Sequence, residues 1–295
     1  MKKPNFFIVG APKCGTTALY EYLKVHPDIF MPETLKEPHY FGSEVNYVDE
    51  ENYFSLFKNW KDEKMAGEAS AGYLASEDAA KQIKIFNPDA KIIIMLRNPV
   101  DVMYSFHSQL CFSREETINN FEEAMKEDLI RTKEYINSDK DSKLFLLRYR
   151  EIAKFTKQIE RYFNEFGREK IHIIIHDDFK KNNAEEYKKV LEFLEVDDSF
   201  SPEFKVHNPN TTSRIPFLMQ TIYMSPKWLR KIFRFVFPSF SIRHKIKYFV
   251  IKLNTAKANR NKMNPELRKK LQEEFSEEVE NLSKLLNRDL THWNK

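Results

Sequence analysis

Four short apolar runs carry the strand signal of this chain: residues 5–9, 65–69, 91–96 and 171–175. The third, Lys-Ile-Ile-Ile-Met-Leu, is apolar almost throughout, as expected of a strand whose sheet is covered on both faces. Between these runs, apolar positions recur every three to four residues, the period of an amphipathic helix. That spacing predicts helices over 15–26, 77–86, 99–110, 117–136 and 149–166. In the last of them Ile152, Phe155, Ile159, Tyr162 and Phe166 share one face. Strands alternating with helices predict an α/β fold with a central parallel sheet flanked by helices.

Beyond about residue 195 the strand signals stop. Residues 215–253 are apolar, aromatic and basic, broken by Pro216, Pro226 and Pro238. A final helix follows, with Asn264 as its cap, Pro265 in its first position, and Leu267, Leu271, Phe275, Val279 and Leu282 as its buried stripe. No repeat or low-complexity linker divides the chain. Residues 1–295 are therefore expected to form one domain: a core of about 1–200 and a basic helical extension over 201–295.

Charge alters this picture more than bulk composition does. The formal net charge is +4, yet residues 205–265 contain no Asp or Glu and thirteen Lys or Arg, leaving 4 − 13 = −9 for the remainder. Such asymmetry predicts an anionic partner for one part of the surface. Nucleic acid is not expected, because no helix-turn-helix, finger or RNA-recognition signature accompanies the basic residues. A nucleotide phosphate, an anionic glycan or peripheral membrane contact fits the pattern. No apolar stretch approaches the roughly 20 residues that span a bilayer. The apolar run at 6–9 is too short for a signal peptide, so a cytoplasmic protein is expected. Two cysteines, Cys14 and Cys111, build neither a disulfide framework nor a four-cysteine zinc site.

The first candidate chemistry is Gly10-Ala11-Pro12-Lys13-Cys14-Gly15-Thr16-Thr17. It has the spacing of a phosphate-binding P-loop and lies between a predicted strand and helix, so the fold is expected to be of P-loop type. Backbone amides of such a loop and the positive end of the next helix bind phosphate. A kinase or ATPase places its lysine directly after the second glycine, where this chain has Thr16; its lysine, Lys13, lies inside the loop. From there Lys13 could neutralise charge on an oxygen that leaves from sulfur or phosphorus. The second candidate is Arg97-Asn98-Pro99, where a strand ends and a helix begins, at the sheet edge where open α/β folds bind ligands. Ser105 follows two turns along that helix. By residue type alone, Ser105 is equally a tolerated helix residue and Cys14 a small loop residue.

Together, P-K-x-G-T-T and R-N-P with a serine eight positions after the arginine resemble the PAPS-dependent sulfotransferases. Lys36-Glu37-Pro38-His39-Tyr40-Phe41 and Gly67-Glu68-Ala69-Ser70 are similar to the heparan sulfate branch and its bacterial relatives. The resemblance implies 3'-phosphoadenosine-5'-phosphosulfate (PAPS) as donor, 3'-phosphoadenosine-5'-phosphate (PAP) as product, and no metal. It implies that Pro12, Lys13, Cys14, Gly15, Thr16 and Thr17 hold the 5'-phosphosulfate, that Arg97 and Ser105 hold the 3'-phosphate, and that Lys257 and Arg260 lie in a basic loop over it. The acceptor is a glycan, lipid or small molecule. Its hydroxyl needs a base, for which Glu37 and His39 have suitable groups. The resemblance assigns the base to Glu37; by residue type alone Glu37 reads as a loop acid paired with Lys36, and His39 as a structural hydrogen-bonding group. Glu68 is expected to bind the acceptor or to orient Lys13 or His39. Ala69 stands where the related heparan enzymes have lysine, so their glycan contacts do not carry over directly. His176-Asp177-Asp178 reads as loop and cap residues. A small-molecule kinase and a non-catalytic PAPS- or glycan-binding protein are the rival functions.

Overall fold

The computed structural model describes residues 2–138, 142–205, 211–223, 225–257 and 262–295. Strands β1 (Phe6–Gly10), β2 (Ile29–Phe30), β3 (Met65–Ala69), β4 (Lys91–Leu96) and β5 (Ile171–Ile175) form one sheet in the order β2-β3-β1-β4-β5. Every pairing in it is parallel. The carboxyl ends of all five strands therefore open on the same edge. The predicted α/β fold, a parallel sheet flanked by helices, is observed.

Helices α1 (Thr16–Leu23), α2 (Glu50–Ser55), α3 (Ala79–Phe86), α4 (Pro99–Ser113), α5 (Phe121–Asn137), α6 (Ser142–Leu146), α7 (Tyr149–Ala153), α8 (Phe155–Phe166), α9 (His176–Lys181) and α10 (Asn183–Leu194) complete the first two thirds of the chain. Helix α1 packs on β3, and α9 and α10 pack on β5. Ile92 through Leu96 are wholly buried, in keeping with the unbroken apolar run. Each such side chain contributes about 1.5–3 kcal/mol relative to exposure.

Two predicted helices are each a pair. The run 149–166 breaks at Lys154, which takes φ −85° and ψ 84° between α7 and α8. The break has polar support: Gln158 Nε2 donates to the Glu151 carbonyl (2.8 Å), and Glu278 accepts from the Thr156 amide and hydroxyl (2.7 and 2.8 Å). The final run divides at Phe275 into α14 (Pro265–Glu274) and α15 (Ser276–Leu286). Its stripe serves two cores: Leu271 and Phe275 join α4, α5 and α7, whereas Val279 and Leu282 join the sheet's core.

Strand structure does not end near residue 195. A small antiparallel pair, β6 (Thr211–Ser213) and β7 (Thr255–Lys257), flanks α11 (Pro216–Tyr223), α12 (Lys227–Val236) and α13 (Phe240–Asn254). Helix α11 packs against α4 and α13. Ser241 of α13 meets Thr34 through a hydroxyl contact of 3.1 Å, so the extension sits beside the segment that leads to Lys36 and Glu37.

Candidate active site

The loop 10–17 starts from a register shift in β1 between Ile8 and Gly10, after which the Ala11 amide bonds the Met95 carbonyl at 2.7 Å. Gly10 has φ +150°, and a Cβ there would stand 2.7 Å from both the Ala71 carbonyl oxygen and Leu74 Cβ. Only glycine fits. Gly15, at φ +101°, begins α1, and no side chain caps the helix's first turn. The start of α1 thus presents amides and the positive dipole end to the cleft, flanked by the Thr16 and Thr17 hydroxyls.

A cation lies across these hydroxyls. Lys36 Nζ donates to Thr17 Oγ1 (2.9 Å), Thr16 Oγ1 (3.4 Å) and Glu37 Oε1 (2.7 Å). Sequence reasoning gave Lys36 only the role of partner to Glu37; its position beside Glu37 was the available signal. Lys13, with φ +65°, is held by Gln109 of α4, whose Oε1 accepts from Nζ at 2.9 Å. Lys13 thus stands within the loop, and Lys36 reaches its threonines from outside it.

Glu37 lies between Lys36 and His39, whose Nε2 is 3.4 Å from Glu37 Oε2. Burial favours the protonated acid, but the Lys36 ammonium and the His39 contact outweigh it and hold the carboxyl well below the usual range. His39 packs edge-on against Tyr47 (5.4 Å) and Tyr73 (5.9 Å). Tyr223 of α11 faces the same cleft: burial, then the charges of Glu115 and Glu37, push its phenol up to about 12. Lys247 of α13 sits over the Tyr223 ring at 4.7 Å.

Glu68, expected to bind the acceptor or to orient Lys13 or His39, is wholly buried near the end of β3. Its Oε1 accepts from the hydroxyls of Tyr73 (2.9 Å) and Tyr53 (3.2 Å), and its Oε2 from Ser70 (2.7 Å). The Ser70 and Tyr73 hydroxyls accept in turn from the backbone of residues 39–41. Ser70 Oγ takes the His39 amide (3.1 Å), and the Tyr73 hydroxyl takes those of Tyr40 (2.8 Å) and Phe41 (3.3 Å). Through Ser70 and Tyr73, Glu68 is thus linked to the backbone of residues 39–41. Burial raises its carboxyl to about 7 against the pull of its three donors.

Arg97 leaves the end of β4 and pairs with Asp101 (3.3 Å), while one of its nitrogens reaches the Lys13 carbonyl at 3.5 Å. Asp101 also binds Arg268 of α14 at 2.9 Å, a second arginine that sequence reasoning missed. Asn98 caps α4 through the Val100 amide (3.0 Å) and donates to the Trp293 carbonyl (2.9 Å). Ser105 is buried on α4. Cys14 is wholly buried, and burial pushes its thiol up to about 12 despite Arg97 and Lys13, which fits the loop-residue reading. Asp177 and Asp178 engage Trp293 (2.8 Å) and Arg288 (2.8 Å) of the C-terminal segment. Arg260 and the side chain of Lys257 lie outside the described residues; the backbone of Lys257 pairs with Thr211.

A parallel sheet whose first strand feeds a glycine-bounded loop, with Lys13 inside that loop and Lys36 and Glu37 beside it, defines an α/β protein of P-loop type. The profile of the sulfotransferase domain family matches residues 3–284, and the chain belongs to that family. It is 27% identical to a sulfotransferase from Alicyclobacillus acidocaldarius of known structure, with a TM-score of 0.73 and all of both chains covered. It is also similar to a bifunctional heparan sulfate N-deacetylase/N-sulfotransferase 1 of Caenorhabditis briggsae, 26% identical over 68% of this chain and 23% of that protein. Carbohydrate sulfotransferase 15 of Mus musculus is 25% identical over 65% of this chain and 44% of its own length. The chain therefore spans less than half the length of these two curated relatives.

Proposed function

We propose that the chain transfers a sulfuryl group from PAPS to a hydroxyl or amine of a glycan acceptor. The observation that carries this reading is Lys36, whose ammonium bridges the loop threonines and the carboxylate of Glu37, so that donor site and base share one cation. The loop has the chemistry for a phosphosulfate: Gly10 where a Cβ would clash, Gly15 at a positive φ, an uncapped helix start, two hydroxyls and two lysines. Arg97 and Ser105 would hold the 3'-phosphate, with Arg268 drawn in through Asp101.

PAPS supplies an activated sulfur–oxygen bond, whose cleavage leaves negative charge on a phosphate oxygen. Lys13 and Lys36 neutralise that charge. Glu37 accepts the acceptor's proton as the new bond to sulfur forms, and PAP departs with the electron pair. Beside Lys36, Glu37 is a weak base. When Lys36 turns toward the donor's oxygens, Glu37 loses that partner and its proton affinity rises, so donor binding arms the base. The names of the two curated relatives, one on heparan sulfate and one on carbohydrate, support a sugar acceptor. Tyr47 and Tyr223 supply flat rings beside the base against which a sugar can pack.

Calorimetry with PAP in magnesium-free buffer tests the donor assignment. Binding without metal, weakened about 100-fold in Lys36→Met, is expected. Binding of ATP that requires magnesium, with none of PAP, would establish the kinase alternative instead.

A further inference from the structure

Helix α12 has an exposed apolar face. At 100° per residue, Trp228, Ile232, Phe235 and Val236 fall on one arc, and Arg230, Lys231 and Arg234 on the other. The apolar arc is turned to solvent: Trp228 is 63% exposed and Phe235 89%. Arg243 of α13 donates to the Phe237 carbonyl at 2.8 Å and so pins the turn between α12 and α13. Helix α13 adds Ile242, Phe249 and Leu253, spaced seven and eleven residues from the first and likewise exposed. Large apolar side chains gathered at this density on a protein surface mark a contact with another phase or molecule.

We propose that α12 and α13 dock this protein on an anionic lipid surface, with the apolar arc of α12 set among the lipid chains and its arginines and lysine against the headgroups. Three kinds of occupant could cover such a face, and charge separates them. A second copy of the chain would meet the patch through its own twin in a two-fold contact. Residues 205–265 contain no carboxylate, so that contact would oppose cation to cation. A free anionic glycan matches the cations but leaves Trp228 and Phe235 in water. An anionic bilayer satisfies both faces at once, the pattern of helices that lie in the interface plane. Ten residues of helix span only about 15 Å, and no helix among the described residues is long and apolar enough to cross a membrane. The contact is peripheral. Because Ser241 touches Thr34, docking would hold the cleft at Glu37 close to the lipid surface. The inference does not depend on the proposed reaction.

Sedimentation of the full chain with vesicles tests it. Vesicles of phosphatidylcholine with a minority of phosphatidylglycerol are expected to carry the protein down and to shift tryptophan emission to the blue, whereas phosphatidylcholine alone does neither. Partition should fall at least about tenfold in the double variant Trp228→Asp, Phe235→Asp and, separately, in Arg230→Gln, Lys231→Gln, Arg234→Gln. These side chains are exposed, so unfolding temperature should not change. Equal partition to both vesicle types, no partition, or partition unchanged in either variant would overturn the proposal. So would light scattering that shows a dimer dissolved by the double variant, which would assign the face to a second copy.

Discussion

Lys36 touches Thr16, Thr17 and Glu37 within one hydrogen-bonding radius, so its removal acts on two steps at once. In Lys36→Met, loss of charge stabilisation should lower kcat by about 100-fold. The Glu37 pKa should also rise, because the ammonium that helps His39 hold it down is gone. The acid limb of the kcat/KM profile, which reports the free enzyme, should therefore move to higher pH, which a change of fold would not produce. Glu68 makes a separate prediction. Its folded pKa is raised to about 7, so its contribution to stability is complete below the unfolded value and is lost as pH rises through about 7. Relative to wild type, Glu68→Gln should gain thermal stability at alkaline pH and show less change of stability between acid and neutral pH. Its kcat should fall, because Ser70 and Tyr73 lose the acceptor that aims them at the His39 segment. The places of the loop 10–17, between β1 and α1, and of Arg97, after β4, were legible in the sequence, since both lie in contiguous motifs. The roles of Lys36, Gln109, Arg268 and Tyr223 were not, because each reaches the site through a side chain whose direction only the packed fold determines.

At the scale of elements, hydrophobic patterning found four of the five sheet strands and misjudged where helices stop. Strand β2 has two residues, Ile29 and Phe30, too few for any periodicity. The breaks at Lys154 and Phe275 follow from polar and core contacts made by partners far along the chain, such as Glu278 with Thr156. The same long reach holds α5 and α7. Arg131 forms two hydrogen bonds with the buried Glu116 carboxylate (2.6 and 3.1 Å), which also takes the Tyr149 hydroxyl at 2.8 Å. Arg131→Ala should cost about 3–5 kcal/mol, because it leaves a carboxylate buried without its cation. Urea unfolding checks this. A loss under about 1 kcal/mol would show that Tyr149 and the loop amides alone satisfy Glu116.

Across the whole molecule, the C-terminal segment latches the ends of β4 and β5, at Asn98 and Asp177. The Trp293 carbonyl accepts from Asn98 and Gln272, its indole donates to Asp177, and its ring is buried in the main core. Trp293→Ala should cost about 3–5 kcal/mol in stability. It should also weaken PAP binding at a temperature where the variant is still folded, since Asn98 adjoins Arg97. The charge asymmetry was plain in the sequence, whereas its geometry, an amphipathic helix turned outward beside the cleft, needed the fold. The account as a whole stands on sulfuryl transfer without metal. Its most direct test is transfer of labelled sulfate from PAPS to a panel of glycan acceptors, with a chelator present. The account predicts labelled product from the wild type, and a loss of at least about 100-fold in Glu37→Gln and in Lys13→Ala. Transfer undiminished in both variants, or none from a wild type that instead consumes ATP with magnesium, would contradict it.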